Sequence, residues 1–429
     1  MAIGSARQNT RRYGTINTID TVRPQIAEFQ TATLHIRENK AMFRFLTAGE
    51  SHGPCLTVII EGIPANLTIQ SQEIDEQLQR RQGGYGRGAR MRMETDCAEI
   101  LSGVRHGKTL GSPITLQIKN KDWVNWQEKM AALPTETPPE IVSQIRAGHA
   151  DFTGAMKYHQ HDIRNVIERS SARETAARVA VGAICRQFLA QFHITIHSHV
   201  LSVGDIGSSD SFAPRDYSAT FWERVEASPM RCGDTNIEEQ MIRFIDEIRK
   251  KGDTVGGIFE VVALGVPIGL GSFSQWDLRL NSLLGHYLLS IPSAKGVEIG
   301  AGFAAARQTG SRVHDVLRHE EDRGWSHTSN NAGGIEGGIS NGEPIVARAA
   351  LKPIPTLAKP LPSVDFATGE NIEKSRYERS DVCVVPAGAV VGEAMLAIAL
   401  TEVFIEKFGG DSIEETQAHY QATQTLLRP

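Results

Sequence analysis

The most apolar run of the chain lies between Ala387 and Phe404, and only two charges, Glu393 and Glu402, interrupt it. A helix that is apolar on nearly every side is stable only where other atoms surround it, in a protein core or in a membrane. No window of 18 uncharged apolar residues occurs anywhere in the sequence, and both acids fall inside this one, so the run reads as a core helix. Gly409-Gly410 ends it and Arg379-Ser380-Asp381 precedes it. A helix of this kind demands a large core. The chain can supply one, with 429 residues of which 40% are apolar and 22% charged.

A second helix announces itself at Arg169-Ser170-Ser171-Ala172-Arg173-Glu174. Ser171 and Glu174 have the S-x-x-E spacing of a capping box, and Ala176, Val179, Ala180, Ala183 and Phe188 follow at helical spacing. The start of such a helix exposes unpaired N–H groups and the positive end of a dipole, here beside two hydroxyls and Arg169. That combination suits an anion. By itself, S-x-x-E is also the ordinary way to start a helix.

Three loops add to the picture. Gly49-Glu50-Ser51-His52-Gly53-Pro54 separates two strand-like segments, FRFLTA and LTVIIEG, and presents a histidine from a strand end. The stretch from Arg80 to Arg92 holds Arg81, Arg87 and Arg90 among glycines, with Tyr85 in their midst. Arginine suits two-point recognition of phosphate and carboxylate, and a small polyanion is a better partner for so short a loop than RNA. The glycine-rich segment Asn330 to Gly338 matches neither the P-loop nor the G-x-G-x-x-G pattern.

Other classes find less support. A net charge of −5 gives no general attraction to nucleic acid. The five cysteines are scattered without C-x-x-C and read as reduced thiols in a cytosolic protein. The pairs His159/His161 and His197/His199 could each offer two metal ligands, but neither brings a third at close spacing, so no metal site is expected. A metal-assisted hydrolase on these pairs and an RNA-binding module around Tyr85 stand as the alternatives.

Residues 1–41 differ from the rest. The first 19 carry Arg7, Arg11 and Arg12 and no acid, which faintly resembles an organelle transit peptide. A disordered extension, or an upstream start with Met42 as the true beginning, is the reading preferred here. The expected division is an extension over 1–41, one α+β catalytic domain over 42–410, and a C-terminal tail over 411–429. Strands are expected at 97–103, 113–119, 194–203 and 345–351. Helices are expected near 72–81, from a Thr235/Glu238 capping box, and at 276–289.

From residues alone the chain offers glycine-flanked His52 and His149, loop arginines and a serine-rich helix start, which together suit acid–base chemistry on a small polyanion. The motifs FRFLTAGESHGP, RRQGGYGRGARM, SGVRHGKTLGSPI, GHAD, RSSARETAARVAVGA, GDTVGGIFEVV, NNAGGIEGGISNG, LKPIPTL and ERSD resemble those of chorismate synthases, in order, from about Met42 to about Gly410. The resemblance implies a lyase of the shikimate pathway and aromatic amino acid biosynthesis. Such an enzyme eliminates phosphate from 5-enolpyruvylshikimate 3-phosphate and gives chorismate. It also implies reduced FMN as cofactor, with NADPH as a reductant for it, in a cytoplasmic homotetramer that engages no nucleic acid or membrane. The implied fold is a β–α–β sandwich, two antiparallel sheets flanked by helices.

Carried over motif by motif, His52 is the histidine beside the flavin and His149 the one that protonates departing phosphate. Ser51 and Ser171 lie near substrate and flavin, and Asp381 near flavin N5. The resemblance gives Arg169, Ser170, Ser171, Ser293, Gly337, Lys352, Pro353, Ile354, Pro355, Thr356 and Arg379 to the cofactor. It gives Arg81, Arg87, Arg90 and Arg146 to the anionic groups of substrate or NADP. Two positions depart from the family pattern. Ala147 stands where Arg-Pro-Gly-His-Ala-Asp has proline. Pro292 stands where an asparagine or glutamine touches flavin, and it has neither a side-chain amide nor a backbone N–H.

Overall fold

The computed structural model describes residues 43–88, 95–136, 140–207, 217–320, 324–378 and 381–426. The extension over 1–41, Arg90 and Arg379 therefore lie outside the described residues.

A four-stranded antiparallel sheet forms first, from β1 (Arg44–Ala48), β2 (Cys55–Glu61), β3 (Ala98–Ser102) and β4 (Ile114–Lys119), in the order β1-β2-β4-β3. Alternation sets its inner face. Leu56, Val58 and Ile60 of β2 and Ile114, Leu116 and Ile118 of β4 are buried, with Val58 directly opposite Leu116. Helix α1 (Ser71–Gln82) crosses between β2 and β3 and buries Ile74 and Leu78.

The helical segments of the central region follow a different logic. Helices α2 (Asp151–Tyr158) and α3 (Arg164–Ser170) are short and share a small separate cluster of Val142, Ala155, Ile163, Val166 and Ile167. A 3-10 turn over Ala172–Glu174 leads into α4 (Thr175–Ala190), most of whose side chains are buried. The expected capping box forms only in part. Ser171 Oγ accepts from the Arg173 N–H at 3.3 Å, whereas Glu174 turns forward to the Arg178 guanidinium at 2.9 Å. A carboxylate that finds a cation one turn ahead gains more than one that reaches back to an amide.

The second sheet is assembled from distant parts of the chain. Its strands are β5 (Thr195–Val203), β6 (Ile206–Gly207), β7 (Gly257–Leu264), β8 (Ala294–Ile299) and β9 (Ile345–Leu351), in the antiparallel order β8-β9-β7-β5-β6. Helices α5 (Ala219–Ala227) and α6 (Thr235–Lys251) lie between β6 and β7 in sequence. The cap of α6 is Asp234, whose Oδ1 accepts from the Asn236 and Ile237 N–H groups, so the helix begins one residue earlier than a Thr235 cap would place it. Aspartate is simply the better cap of the two. The segment 276–289 divides into a 3-10 turn and α7 (Leu280–Leu289).

The apolar run becomes α8 (Val385–Phe408) and packs on α4 and on β5 and β7. It is long and apolar enough to cross a membrane by length and composition, yet 94% of that stretch is buried within the protein itself. Both charges of the apolar run are paired. Glu393, 1% exposed, accepts from Arg80 at 2.7 Å, Arg186 at 2.9 Å, Arg231 at 3.0 Å and the Ser198 hydroxyl at 2.7 Å. Glu402 accepts from the Tyr287 hydroxyl at 2.6 Å. Small residues let the two central helices approach. A Cβ on Gly182 of α4 would stand 2.4 Å from that of Ala394.

Residues 413–426 form a further helix, α9 (Ile413–Leu426), in a segment expected to be a tail. Tyr420 packs its ring against Phe192, Phe404 and Phe408. The described residues thus form an α+β fold of mixed helices and antiparallel sheets.

Candidate active site

One cavity, about 450 Å³, opens where the two sheets' connecting segments meet the first turns of α4 and α8. Its size is ordinary for a small-molecule site, which typically spans roughly 300–1,000 Å³. Ser51, His52, Arg81, Arg87, Arg146, His149, Ser170, Ser171, Ser293, Lys352, Ile354, Pro355, Thr356 and Asp381 all line it. These residues are spread over more than 300 positions of sequence and were singled out from separate motifs, so their meeting is a property of the fold.

His52 stands on the turn between β1 and β2, where Gly49 has φ +107° and allows the chain to reverse. Its Nδ1 lies 3.0 Å from both carboxylate oxygens of Glu168, and its backbone N–H donates to Glu168 Oε2 at 2.8 Å. The Trp126 ring stacks on the imidazole with centroids 3.8 Å apart. Burial alone would raise the Glu168 carboxyl. The hydrogen bonds from His52, with Arg164 beside them, outweigh it and hold the group below the usual carboxylate range.

His149 is built differently, in the loop that enters α2. Its Nδ1 lies 2.5 Å from Asp151 Oδ1, and the Arg146 guanidinium grips the same carboxylate. Asp151 is fully buried. Burial pushes its carboxyl up, but His149 and Arg146 pull harder, and the net shift is well below the usual range. Arg146 also donates to the Thr356 hydroxyl at 3.1 Å, which ties this loop to the Lys352–Thr356 segment. Lys352 Nζ donates to the Gly148 carbonyl at 2.7 Å, and burial, then neighbouring Lys295, lowers its ammonium pKa.

The cavity's charge is lopsided. Arg81, Arg87, Arg146, Arg173 and Lys352 line it against two carboxylates, Glu378 and Asp381. Arg87 Nη1 lies 3.4 Å from Asp381, whose other oxygen accepts from the Gly88 N–H at 2.6 Å. The first turn of α8, which has no capping side chain among the described residues, reaches the same cavity through Val384, Ala387 and Gly388. Ile291, Pro292, Leu351 and Val391 add apolar surface to the same cavity. Such a site takes a ligand that combines anionic groups with a flat apolar part.

Pro292 and Ser293 form the middle of a β-turn closed by the Ala294 N–H to the Ile291 carbonyl at 3.0 Å. Ser293 has φ +73°, the positive value a type II turn needs at its third residue, and proline is favoured just before it. Pro292 therefore stiffens the turn that presents Ser293.

Some expected residues lie elsewhere. The Arg169 guanidinium donates to Thr47 O, Thr47 Oγ1 and Gly49 O, and neither it nor Pro353 nor Gly337 is among the cavity's lining residues. Glu168, Asp151, Arg173 and Trp126 were not singled out from the sequence. Glu168 and Asp151 sit inside or beside recognised motifs, so a carboxylate next to each key segment was the available signal. Trp126 gave none.

The sequence profile of the family described as chorismate synthase matches residues 43–405. The chain belongs to the chorismate synthase family. Curated chorismate synthases include that of Aquifex aeolicus, 53% identical over 385 residues, which cover 88% of this chain and 96% of the relative. The Geotalea uraniireducens enzyme is 54% identical over 395 residues, covering 90% and 100%. A solved structure titled as the crystal structure of chorismate synthase aligns with TM-score 0.73 at 45% identity, covering 90% of this chain and 98% of that one. The activity is thus that of a chorismate synthase, a carbon–oxygen lyase of aromatic amino acid biosynthesis in the shikimate pathway.

Proposed function

We propose that the cavity between His52 and His149 binds 5-enolpyruvylshikimate 3-phosphate beside reduced FMN and eliminates phosphate to give chorismate. The observation that carries this reading is the meeting of both histidines, five cationic side chains and six hydroxyls, those of Ser51, Ser170, Ser171, Thr175, Ser293 and Thr356, on one cavity. Its residues suit the flavin: the hydroxyls and cations fit a phosphate tail, and the apolar surface fits a flat ring.

Loss of phosphate puts negative charge on the leaving oxygen, and Arg81, Arg87, Arg146 and Arg173 offset that charge where water is scarce. His149 holds a proton for the departing phosphate, with Asp151 fixing its ring through Nδ1. His52 would exchange a proton with the bound flavin. Ser51, Ser171 and Asp381 complete the ring of polar groups, and Ser170, Ser293 and Lys352–Thr356 hold the cofactor. When bound, reduced FMN would supply electron density for breaking the carbon–oxygen bond.

Further parts of the reading rest on less direct support. A β–α–β sandwich is supported by the packing of α8 on β5, β7 and α4, and of α4 on β2. A homotetramer is supported by the exposure of Phe273, Trp276 and Phe303, each more than 70% exposed. A cytoplasmic setting is supported by five free cysteines. NADPH is the reductant we assign to the flavin. Residues 1–41 precede the family match and are read as an extension outside the catalytic unit.

The test is anaerobic turnover of the phosphorylated substrate with chemically reduced FMN, following chorismate. Activity should appear in the parent protein and fall about 10²–10⁴-fold in His149→Ala, the usual worth of a general acid. Affinity should change far less, because the arginines remain. Near-normal turnover in well-folded His149→Ala sinks the assignment.

A further inference from the structure

Two adjacent residues near the end of α3 hold both ends of the turn that carries Ser51 and His52. Arg169 donates to Thr47 O at 2.8 Å and to Gly49 O at 3.1 Å, on the side where the turn begins. The Glu168 carbonyl accepts from the Ser51 N–H at 2.9 Å, and its carboxylate accepts from the His52 N–H at 2.8 Å. Glu168 is 2% exposed and sets both carboxylate oxygens 3.0 Å from His52 Nδ1. Arg164, one helical turn earlier, donates to its Oε1 at 3.2 Å and also lies 5.4 Å from the centre of the Trp126 ring. The imidazole is thus held at Nδ1, at its own backbone and on one face.

We propose that Glu168 is a positioning residue that fixes neutral His52 with its hydrogen on Nδ1, so that Nε2 carries the lone pair and exchanges the proton in the cavity. The proposal rests on the reading of His52 as a group that acts on the bound flavin. An ionised carboxylate can only accept hydrogen bonds. A lone pair on Nδ1 would face two acceptor oxygens in a buried setting, where an unmatched contact is expensive. The reverse arrangement, a protonated Glu168 donating to Nδ1, would need a hydrogen on an oxygen already accepting from the His52 N–H or from Arg164. The downward shift of the Glu168 carboxyl agrees with the ionised form. A partner on one ring nitrogen dictating which atom of the other does the chemistry is a general property of histidine. Arg169 complements it by fixing the turn's backbone.

The experiment uses the full chain labelled with ¹⁵N-histidine, without cofactor or substrate. The His52 signals are assigned by their absence in His52→Gln, and long-range proton–nitrogen spectra are recorded at a pH where the ring is neutral. The expected result is the Nδ1–H form in the parent and in Glu168→Asp, and a mixed or reversed form in Glu168→Gln. Turnover should fall about 10²-fold in Glu168→Gln with a smaller change in KM, and recover in part in Glu168→Asp. An Nε2–H form in the parent overturns the proposal. So does an unchanged tautomer in Glu168→Gln with both variants merely lower in Tm, since Glu168 would then only brace the turn. Normal turnover in His52→Gln overturns the reading of His52 itself, and with it the catalytic half of the proposal, even where the spectra come out as expected.

Discussion

Asp151 takes two hydrogen bonds from the Arg146 guanidinium, from Nε at 2.9 Å and Nη2 at 3.0 Å, and a third from the Arg146 backbone N–H at 3.0 Å. The same carboxylate lies against His149 Nδ1. Glu168 does the corresponding work for His52, with Arg164 in the place of Arg146. Each histidine therefore has one nitrogen committed to a buried carboxylate that is itself fixed by an arginine. This repeated arrangement orients two imidazole rings on one cavity without any contact between them being needed.

Replacing Asp151 by asparagine should separate orientation from binding. The amide keeps the shape of the side chain but loses the charge that Arg146 and His149 share. In Asp151→Asn, turnover should drop by about 10²-fold while reduced-flavin affinity, measured by fluorescence or absorbance titration, changes little. The pH dependence has a definite sign. The Asp151 carboxyl is held below its ordinary value in the folded protein, so its contribution is complete above about pH 4 and is lost as pH falls further. Unfolding midpoints measured from pH 7 downward should fall less steeply in Asp151→Asn than in the parent. Identical slopes would count against the shift.

The buried carboxylate of α8 allows a larger effect. Burial alone would raise the Glu393 pKa, but the charges of Arg80, Arg231 and Arg186 pull it well below its ordinary value. Glu393→Gln leaves those cations without their common partner, and breaking a buried pair in this way typically destabilises by about 3–5 kcal/mol. Urea denaturation at neutral pH should show a loss of that size. The loss should shrink as pH falls below about 4.5, because Glu393 is then protonated in the unfolded parent while the folded protein still holds its charge. A variant as stable as the parent at pH 7 would show that the arginines are satisfied by water instead.

The fold and the site were legible to different depths. The apolar run around Glu393 announced a core helix because its composition permits nothing else in water. The cavity residues were reachable because their motifs are long, and each motif travels as a block. Partners across space were not. Trp126 stacks on His52 from the end of a 3-10 turn after β4, and no local pattern records that meeting. One capping box formed only in part and the other cap was misplaced, since Glu174 was drawn away by Arg178 and Thr235 was displaced by the stronger Asp234. The folded helix beyond Gly410 was missed because a helix that buries Ile413 and Thr416 and only part of Tyr420 shows little apolar periodicity.

Ser293 should show a conflict between stability and function. Its φ of +73° is a conformation that side-chain-bearing residues adopt at a cost of about 1–2 kcal/mol and glycine adopts freely. Ser293→Gly is expected to raise Tm while weakening flavin binding, because the hydroxyl that lines the cavity is lost. A single hydrogen bond is worth about 1 kcal/mol, so the dissociation constant should rise roughly fivefold. Thermal melts and flavin titration on the same preparation check both halves. A rise in Tm with unchanged affinity would remove Ser293 from the cofactor's contacts.

The close approach of α4 and α8 gives the last test. Gly182 faces Ala394 so tightly that an added Cβ would lie 2.4 Å from the Ala394 Cβ and 2.5 Å from its Cα. The second of those atoms is backbone, so a rotamer change cannot relieve the clash and one helix must move. On helix propensity alone, Gly182→Ala would stabilise by up to about 1 kcal/mol. Overpacking a tight core typically costs about 1–3 kcal/mol, and here it acts between two helices that also shape the cavity. The net expectation is a destabilisation of about 1–2 kcal/mol, read by urea denaturation. Shifting α8 also moves Val384, Ala387 and Gly388, which line the site, so KM for the phosphorylated substrate should rise although Gly182 itself lies outside the lining. A Gly182→Ala protein more stable than the parent, with unchanged KM, would show that the two helices have room to spare.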